Sequence, residues 1–169
     1  MTDGVDPDRL TLERQVCFTL AVASREVVSL YRPLLEPLGL THPQYLVMVA
    51  LWETDEPRSV KQLTRLLKLE APTLSPLLKR LETNGLVERR RDPADERSLL
   101  VSLTDRGRDL QARAAQVPRT LIAQLGMTMP ELELLREVLS SVIAHAKEQV
   151  EVDGEARVDA GAEVTPTIG

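Results

Sequence analysis

The segment between residues 58 and 108 constrains the fold most, because its pattern predicts two short helices followed by a hairpin. Apolar residues at helical spacing predict the first helix, and they are Val60, Leu63, Leu66, Leu67 and Leu69. The break at Glu70-Ala71-Pro72 indicates a second helix, because proline is tolerated in a first helical turn. This helix is expected to run from Pro72 to Asn84, and the following Gly85 tolerates the left-handed conformation common after helices.

The second helix has one apolar face and one polar, basic face. Its predicted buried residues are Leu74, Leu77, Leu78 and Leu81, and the residues left for the other face are Thr73, Ser75, Lys79 and Arg80. A strand over 86–90, a charged tip over 92–97 and a returning strand over 99–103 complete the pattern. The predicted fold class is therefore mainly α with a small β-wing, a winged helix-turn-helix that grips DNA.

Positive charge is concentrated in the same segment. Residues 58–108 contain twelve Lys or Arg and seven Asp or Glu, whereas the whole chain has 21 and 26 and a net charge of −5. A basic segment in an acidic chain predicts electrostatic attraction to double-stranded DNA. The alternative is that Arg89, Arg90 and Arg91 form only a solvated strand edge, but their place after a helix-turn-helix pattern favours DNA binding.

Other helices are predicted on either side of this lobe. They cover residues 9–31, a short piece at most within 34–38, a helix opened by Thr41-His42-Pro43, a long helix over 105–125, and another from residue 129. We expect residues 1–8 to form a flexible arm and residues 149–169, which are acidic and lack periodicity, to form a disordered tail. Residues 9–148 then make one domain, in which 41–104 form the DNA-binding lobe.

The helices outside the DNA-binding lobe, in 9–40 and 105–148, have apolar faces that a single chain does not cover. Packing against a second copy would bury these faces in a two-fold dimer. Such a homodimer would place two recognition helices ~34–36 Å apart, in successive major grooves. The predicted partner is therefore an operator duplex with two-fold symmetry.

Several classes of protein are disfavoured by what the sequence lacks. One cysteine excludes an intramolecular disulfide, the start lacks a secretory signal, and no run of ~18 apolar residues indicates a membrane span, so a cytoplasmic protein is expected. Cys17, His42 and His145 lack the close spacing of a metal site, and no cofactor is expected. The absence of a Cys-x-x-Cys pair, a resolving cysteine and a nucleophile elbow disfavours an enzyme.

The chain resembles the MarR family of dimeric winged-helix regulators over roughly residues 10–148. The similar motifs are Leu63…Leu69-Glu70…Leu77-Leu78-Lys79-Arg80-Leu81-Glu82-Thr83-Asn84-Gly85-Leu86-Val87 and Asp92…Asp95-Glu96-Arg97-Ser98…Leu103-Thr104. The resemblance implies that Arg97 enters the minor groove and that Asp95 helps to hold the wing. The expected DNA-binding residues are Thr73, Ser75, Lys79, Arg80, Arg89, Asp95 and Arg97.

A narrower resemblance is to the OhrR branch, whose members repress genes for organic-hydroperoxide detoxification. It is carried by Leu12-Glu13-Arg14-Gln15-Val16-Cys17-Phe18, Ser24-Arg25-Glu26, Tyr31-Arg32-Pro33-Leu34-Leu35 and Pro43-Gln44-Tyr45-Leu46-Val47…Leu51-Trp52-Glu53. It implies that Cys17 is the oxidised residue, that Tyr31 lies opposite a cysteine, and that His42 replaces a second sensing tyrosine. The implied partners are an organic hydroperoxide and a low-molecular-weight thiol.

Cys17 has two interpretations, one structural and one functional. A lone cysteine on an apolar helix is usually a small buried side chain, and only the resemblance reverses this preference. Cys17 and Tyr31 lie fourteen residues apart, which is ~21 Å along one straight helix, so they cannot touch within a subunit. An antiparallel twin helix would bring Tyr31 of one chain to Cys17 of the other.

Two competing functions remain open from the sequence. The first is a MarR-type repressor that is released by a small aromatic ligand while Cys17 is inert, and it predicts that Cys17→Ser still responds to the inducer. A one-cysteine thiol peroxidase would instead turn over peroxide with a thiol donor.

Overall fold

The computed structural model describes residues 15–161, and these contain seven α-helices, one short 3-10 helix and three strands. The helices are α1 (Val16–Leu35), α2 (His42–Trp52), α3 (Val60–Leu67), α4 (Ala71–Thr83), α5 (Asp105–Ala114), α6 (Val117–Leu125) and α7 (Met129–Gly161), with the 3-10 helix over Glu36–Leu38. The strands are β1 (Arg58–Ser59), β2 (Val87–Asp92) and β3 (Asp95–Leu103). These residues fall into two units, divided between Leu125 and Gly126.

The first unit contains the predicted winged helix-turn-helix. Helices α3 and α4 are followed by the antiparallel hairpin of β2 and β3, which confirms the expected fold class. The sheet has the order β1-β3-β2, because β1 pairs with β3 through Arg58 opposite Val101. Strand β1 lies directly before α3, where the apolar pattern predicts no strand. The wing is therefore a three-stranded sheet.

Helix α2 lies at the centre of this unit and contacts α1, α3, α4 and α5. The core is aliphatic except for one tyrosine, and its members are Leu35, Leu40, Tyr45, Val47, Met48, Ala50, Leu51, Leu63, Leu74, Leu78, Leu81, Leu86, Val87, Val101, Leu110, Ala114 and Val117. Three of these residues come from the apolar face of α4, so burial fixes which side of α4 is turned away from solvent.

Side-chain caps explain where several helices begin. Thr41 and Gln44 form a capping box at the start of α2, and Ser59 and Gln62 form another at the start of α3. Each box satisfies backbone N–H groups that have no partner inside the helix. Gly85, with φ of +68°, reverses the chain after α4 and directs it into the wing.

The predicted helix end near residue 31 and the predicted single helix over 105–125 need correction. Helix α1 continues through Pro33 to Leu35, and Ser29, whose carbonyl has no N–H partner at Pro33, is an exposed residue. The predicted helix over 105–125 is two helices, because the chain breaks at Ala115-Gln116. Pro118 causes this break, since it has no N–H to continue the first helix and fits the first turn of the second.

The second unit consists of α7, which is 33 residues long. It extends through residues 149–161, where the acidic composition predicted disorder. Helix-forming Glu, Ala and Arg and the absence of proline after Pro130 within α7 are consistent with this continuation. The rest of the predicted tail, residues 162–169, and the predicted arm, residues 1–8, lie outside the described residues.

Candidate nucleic-acid interface and redox site

The solvent side of α4 carries the residues that were predicted to contact DNA. Leu74, Leu78 and Leu81 are buried, whereas the predicted contacts Thr73, Ser75, Lys79 and Arg80 are all exposed. Two hydroxyls and two cations on one exposed helix surface can donate hydrogen bonds to phosphates and base edges. The geometry of α4 therefore suits a recognition helix.

The tip of the wing is tighter than the predicted six-residue tip. Only Pro93 and Ala94 separate the strands, and a bulge between Arg91 and Asp92 adjusts the register. The carboxylate of Asp92 accepts from the N–H of Ala94 at 2.8 Å, and that of Asp95 accepts from the N–H of Arg97 at 3.1 Å. These local bonds stabilise the turn.

Arg97 is exposed at the start of β3. Its backbone is held by Asp95, as the resemblance to the MarR family implied for a residue that supports the wing. The side chain is therefore presented to solvent from a backbone with a fixed local conformation, and a guanidinium in such a position suits a DNA minor groove.

Arg89 differs from the other predicted DNA contacts, because it is bound to Glu82. Its Nε and Nη2 atoms both donate to Oε2 of Glu82, and its backbone N–H donates to Oε1 at 3.2 Å. The side-chain bonds lower the pKa of Glu82, with the charge of Arg89 adding to the effect. Sequence reasoning missed Glu82, although it lies on the predicted recognition helix seven residues before Arg89.

A row of aromatic rings lies between α1 and α2. Tyr31 packs against His42, with ring centroids 4.5 Å apart, and against Tyr45 at 5.9 Å. Tyr45 packs in turn against Trp52 at 6.3 Å. The structure thus brings the predicted pair Tyr31 and His42 together and adds Tyr45, whose position one helical turn after His42 was the available sequence signal.

Partial burial sets the protonation of this aromatic row. Desolvation lowers the pKa of His42 below its ordinary 6.5, so its imidazole is neutral at pH 7. Desolvation raises the pKa of Tyr31 and, together with the proximity of Tyr31, that of Tyr45. Both phenols therefore remain protonated at neutral pH and can donate hydrogen bonds to an anion.

Cys17 is exposed and lies in the first turn of α1, since Gln15 is extended and caps the helix at Val16. The predicted helix over 9–31 is thus interrupted at Gln15, which places Cys17 near a helix terminus, and its part over 9–14 lies outside the described residues. Tyr31 follows fourteen residues later in the same helix, a separation of ~21 Å along its axis. A protomer therefore does not join its own Cys17 to its own Tyr31 and His42.

A cavity of about 720 Å³ lies beside the aromatic row, between α1 and the start of α2. His42 and apolar groups of Val28, Leu40 and Pro43 line it, with Arg25 and Arg32 also contributing. Among the described residues, no cluster of His, Cys, Asp or Glu has the arrangement to hold a metal ion.

The helices in the described part of the chain include none with the length and apolar character needed to cross a bilayer.

Known proteins match both the sequence and the fold. The family described as "Transcriptional regulator SarA/Rot" matches residues 29–113. The organic hydroperoxide resistance transcriptional regulator of Bacillus subtilis (strain 168) is 40% identical over 136 residues, which are 80% of this chain and 92% of the relative.

Solved structures agree with these matches. Reduced AbfR bound to DNA has a TM-score of 0.69 at 32% identity, over 82% of this chain and 96% of that chain, and AbfR comes from Staphylococcus epidermidis. CouR from Rhodococcus jostii RHA1, bound to p-coumaroyl-CoA, has a TM-score of 0.69 at 26% identity, over 79% and 95%. A MarR-family regulator from Rhodococcus sp. RHA1 has a TM-score of 0.70 at 26% identity, also over 79% and 95%.

The resemblance that the motifs indicated is thus confirmed by the profile match, by a relative that aligns over most of both chains, and by the shared winged-helix fold. On these grounds the chain belongs to the SarA/Rot and MarR-type family of winged-helix transcriptional regulators.

Proposed function

We propose that this protein is a cytoplasmic repressor that binds a two-fold-symmetric operator as a homodimer and releases it when an organic hydroperoxide oxidises Cys17. The observation that carries the proposal is the arrangement on α1. An exposed Cys17 lies at one end, and the neutral, hydrogen-bonding Tyr31 and His42 lie near the other. An antiparallel α1 from a second copy would bring the two ends together.

The chemistry of Cys17 fits its location. Cys17 is exposed, so a hydroperoxide can reach its sulfur, and the thiolate is the form of cysteine that attacks peroxides. The sulfur attacks the terminal oxygen of the hydroperoxide, the O–O bond breaks, and the alkoxide leaves and takes up a proton as an alcohol. The product is a sulfenic acid, and a small thiol can then displace its oxygen as water to form a mixed disulfide.

The relatives support a redox switch. The Bacillus subtilis relative is a regulator of organic hydroperoxide resistance, and AbfR has been solved in reduced, overoxidized and disulfide-formed states. This chain has one cysteine, so an intramolecular disulfide is excluded and a small-molecule thiol is the natural second partner.

A second candidate is release by a small aromatic ligand with Cys17 inert. The cavity of about 720 Å³ beside His42 favours it, and CouR has been solved with p-coumaroyl-CoA. The response of Cys17→Ser to hydroperoxide discriminates between the candidates, because only the redox switch needs the sulfur.

The homodimer is supported by apolar surface that each unit leaves exposed. Val16 and Phe18 are 68% and 38% exposed on α1. On α7 the exposed apolar residues are Met129, Leu134, Leu135, Val138, Val142 and Ile143. Surfaces of this kind mark association sites, and a two-fold dimer would cover both copies of each.

The dimer gives the first testable prediction. Sedimentation at micromolar concentration is expected to show a dimer. Val142→Glu is expected to shift the protein towards monomer, because the dimer would bury the new charge. Ser140→Glu is the matched control, since Ser140 is exposed and lies nearly opposite Val142 around α7. A wild-type monomer that binds DNA with full affinity would refute this architecture.

The wing gives the second prediction. Arg97→Ala is expected to weaken binding about tenfold and to reduce its salt dependence, because a guanidinium in the minor groove is lost. Fluorescence anisotropy at fixed salt would measure this on the duplex that the wild-type protein selects from a random-sequence library, here termed the selected duplex. Arg119→Ala is the control, because it removes the same charge from an exposed position on α6, and it should bind nearly as wild type does. Unchanged affinity of Arg97→Ala would remove the wing from the interface.

A further inference from the structure

Glu82 and Arg89 join the end of the recognition helix to the first half of the wing. Glu82 lies in the last turn of α4, and Arg89 is the third residue of β2. The carboxylate receives three hydrogen bonds from this one arginine, two from the guanidinium and one from the backbone N–H. We call this pair the α4–wing clamp.

Two ion pairs of the described residues join the end of a helix to a strand across a turn, namely the α4–wing clamp and the pair of Glu53, which follows α2, with Arg58 of β1. Of these two, the clamp includes a residue of the recognition helix. Arg90 pairs with Glu88 within β2, and Arg108 pairs with Asp105 within one turn of α5. The clamp is also half-buried, since the side chains of Arg89 and Glu82 are 25% and 37% exposed. Two guanidinium donors bind one carboxylate oxygen and the backbone N–H binds the other, so the contact fixes direction as well as distance.

The clamp reinforces a short turn between α4 and β2. Only Asn84, Gly85 and Leu86 separate the two elements, and Gly85 adopts a left-handed conformation. The N–H of Leu86 donates to the carbonyl of Leu81, and the hydroxyl of Thr104 donates to the carbonyl of Gly85, so hydrogen bonds hold the backbone of the turn. The clamp adds a side-chain connection from α4 to the third residue of β2, beyond this turn, and so limits the direction in which the strand leaves the helix.

We propose that Glu82 and Arg89 are positioning residues that fix the wing relative to the recognition helix, so that α4 and Arg97 engage one operator half-site together. Arg89 thus supports DNA binding through Glu82 and does not contact the operator. This inference rests on the proposed DNA-binding function and adds to it the residues that set the geometry of the grip.

The clamp and simple electrostatics predict opposite changes in DNA affinity for one substitution. Glu82→Gln removes a negative charge from the DNA-binding lobe and frees the guanidinium of Arg89. If charge alone mattered, affinity for DNA would rise. If the clamp positions the wing, affinity falls, because a neutral amide holds the guanidinium less strongly and the wing must be ordered on binding.

The experiment compares two variants with the same change of charge. Anisotropy on the selected duplex is expected to show about tenfold weaker binding for Glu82→Gln, from the loss of charge-assisted bonds. Glu88→Gln is the matched control, because Glu88 pairs with Arg90 of β2 and accepts from the hydroxyl of Ser102 of β3, so these bonds stay within the wing. It is expected to bind as well as wild type or slightly better.

A double-mutant cycle supplies a readout that a general loss of stability would not move. In the Glu82→Gln background, Arg97→Ala is expected to weaken DNA binding much less than it does in wild type, because the wing is no longer held in place. The exchange Glu82→Arg with Arg89→Glu is expected to restore part of the affinity and of the Arg97 effect. Urea unfolding establishes that each variant is folded. If Glu82→Gln does not fold, Arg89→Lys replaces it as the clamp variant, because lysine keeps the charge but cannot place two guanidinium donors on Glu82.

Two results would overturn the clamp. One is equal or tighter binding by Glu82→Gln or, where that variant does not fold, by Arg89→Lys. The other is an unchanged cost of Arg97→Ala in the clamp variant. Either result would leave the proposed function standing as long as Arg97→Ala weakens the wild-type protein. Failure of the wild-type protein to select any duplex would instead refute DNA binding itself.

Discussion

Gly107→Ala is expected to destabilise the protein by about 3 kcal/mol or more, because there is no space for a methyl group at this position. A Cβ on Gly107 would overlap the carbonyl oxygen of Leu86 and lie 3.3 Å from Cδ2 of Leu103. The obstacle is backbone at the start of the wing, so it cannot move as a flexible side chain would.

Gly107 also lies at a junction of hydrogen bonds. Its N–H donates to Oγ1 of Thr104, and its carbonyl accepts from Nε1 of Trp52 at 2.9 Å. The hydroxyl of Thr104 donates in turn to the carbonyl of Gly85, at the turn after the recognition helix. Forcing Gly107 away from Leu86 would strain these bonds and move α5 relative to α4.

Urea unfolding at fixed protein concentration, followed by the fluorescence of Trp52, the single tryptophan, measures the effect. Gly39→Ala is the matched control, because Gly39 has φ of +68° but nothing lies within 4 Å of its Cβ position. It is expected to cost about 1 kcal/mol, from the left-handed backbone alone. Equal unfolding midpoints for the two variants would contradict the close packing at Leu86.

Peroxide together with a small thiol is expected to release DNA more completely than one equivalent of peroxide alone. A sulfenate adds a single oxygen to Cys17, whereas a mixed disulfide adds a whole polar molecule that a packed dimer interface cannot accommodate. The release should be reversed by a reductant, because a mixed disulfide undergoes thiol exchange.

Anisotropy on the selected duplex, with mass spectrometry of the released fraction, tests this expectation. The released protein should carry a thiol adduct on Cys17. Tyr31→Phe should bind DNA normally when reduced but respond differently to oxidation, since it keeps the ring beside His42 and loses the hydroxyl. Complete release with only one added oxygen on Cys17 would contradict the requirement for a bulky adduct.

The winged unit was predictable because local signals and burial agree there. The apolar spacing of α4, the proline at its start and the Asn84-Gly85 pair at its end all favour one helix with one buried face. The ends of the wing strands were less predictable, because β3 begins at Asp95, inside the predicted charged tip. Asx bonds from Asp92 and Asp95 let pairing begin earlier than the polar composition suggested.

Features that depend on distant contacts were not predictable from the sequence. Strand β1 has two residues and exists only because β3 is beside it. Pro118 is a local signal for the break before α6, but the apolar pattern continues across it and favours a single helix. Arg89 lies in a basic run of the kind that contacts DNA, and only the position of Glu82 in space shows that its Nε and Nη2 atoms bind a carboxylate of the same chain.

The candidate redox site was predictable in part. Spacing alone established that Cys17 and Tyr31 lie too far apart on one helix to meet in a protomer, and α1 contains both. The contact between Tyr31 and His42 depends on how α1 crosses α2, which no local pattern encodes. The neutral state of His42 follows from its partial burial between these helices, so it could not be predicted from the sequence either.

The central claim, that oxidation of Cys17 releases DNA, is tested most directly by titrating the selected duplex with wild type and Cys17→Ser, each with and without cumene hydroperoxide and a small thiol. The account predicts that both proteins bind equally well when reduced, and that only wild type is released. Full release of Cys17→Ser by the hydroperoxide would contradict the cysteine switch and favour the ligand-responsive alternative.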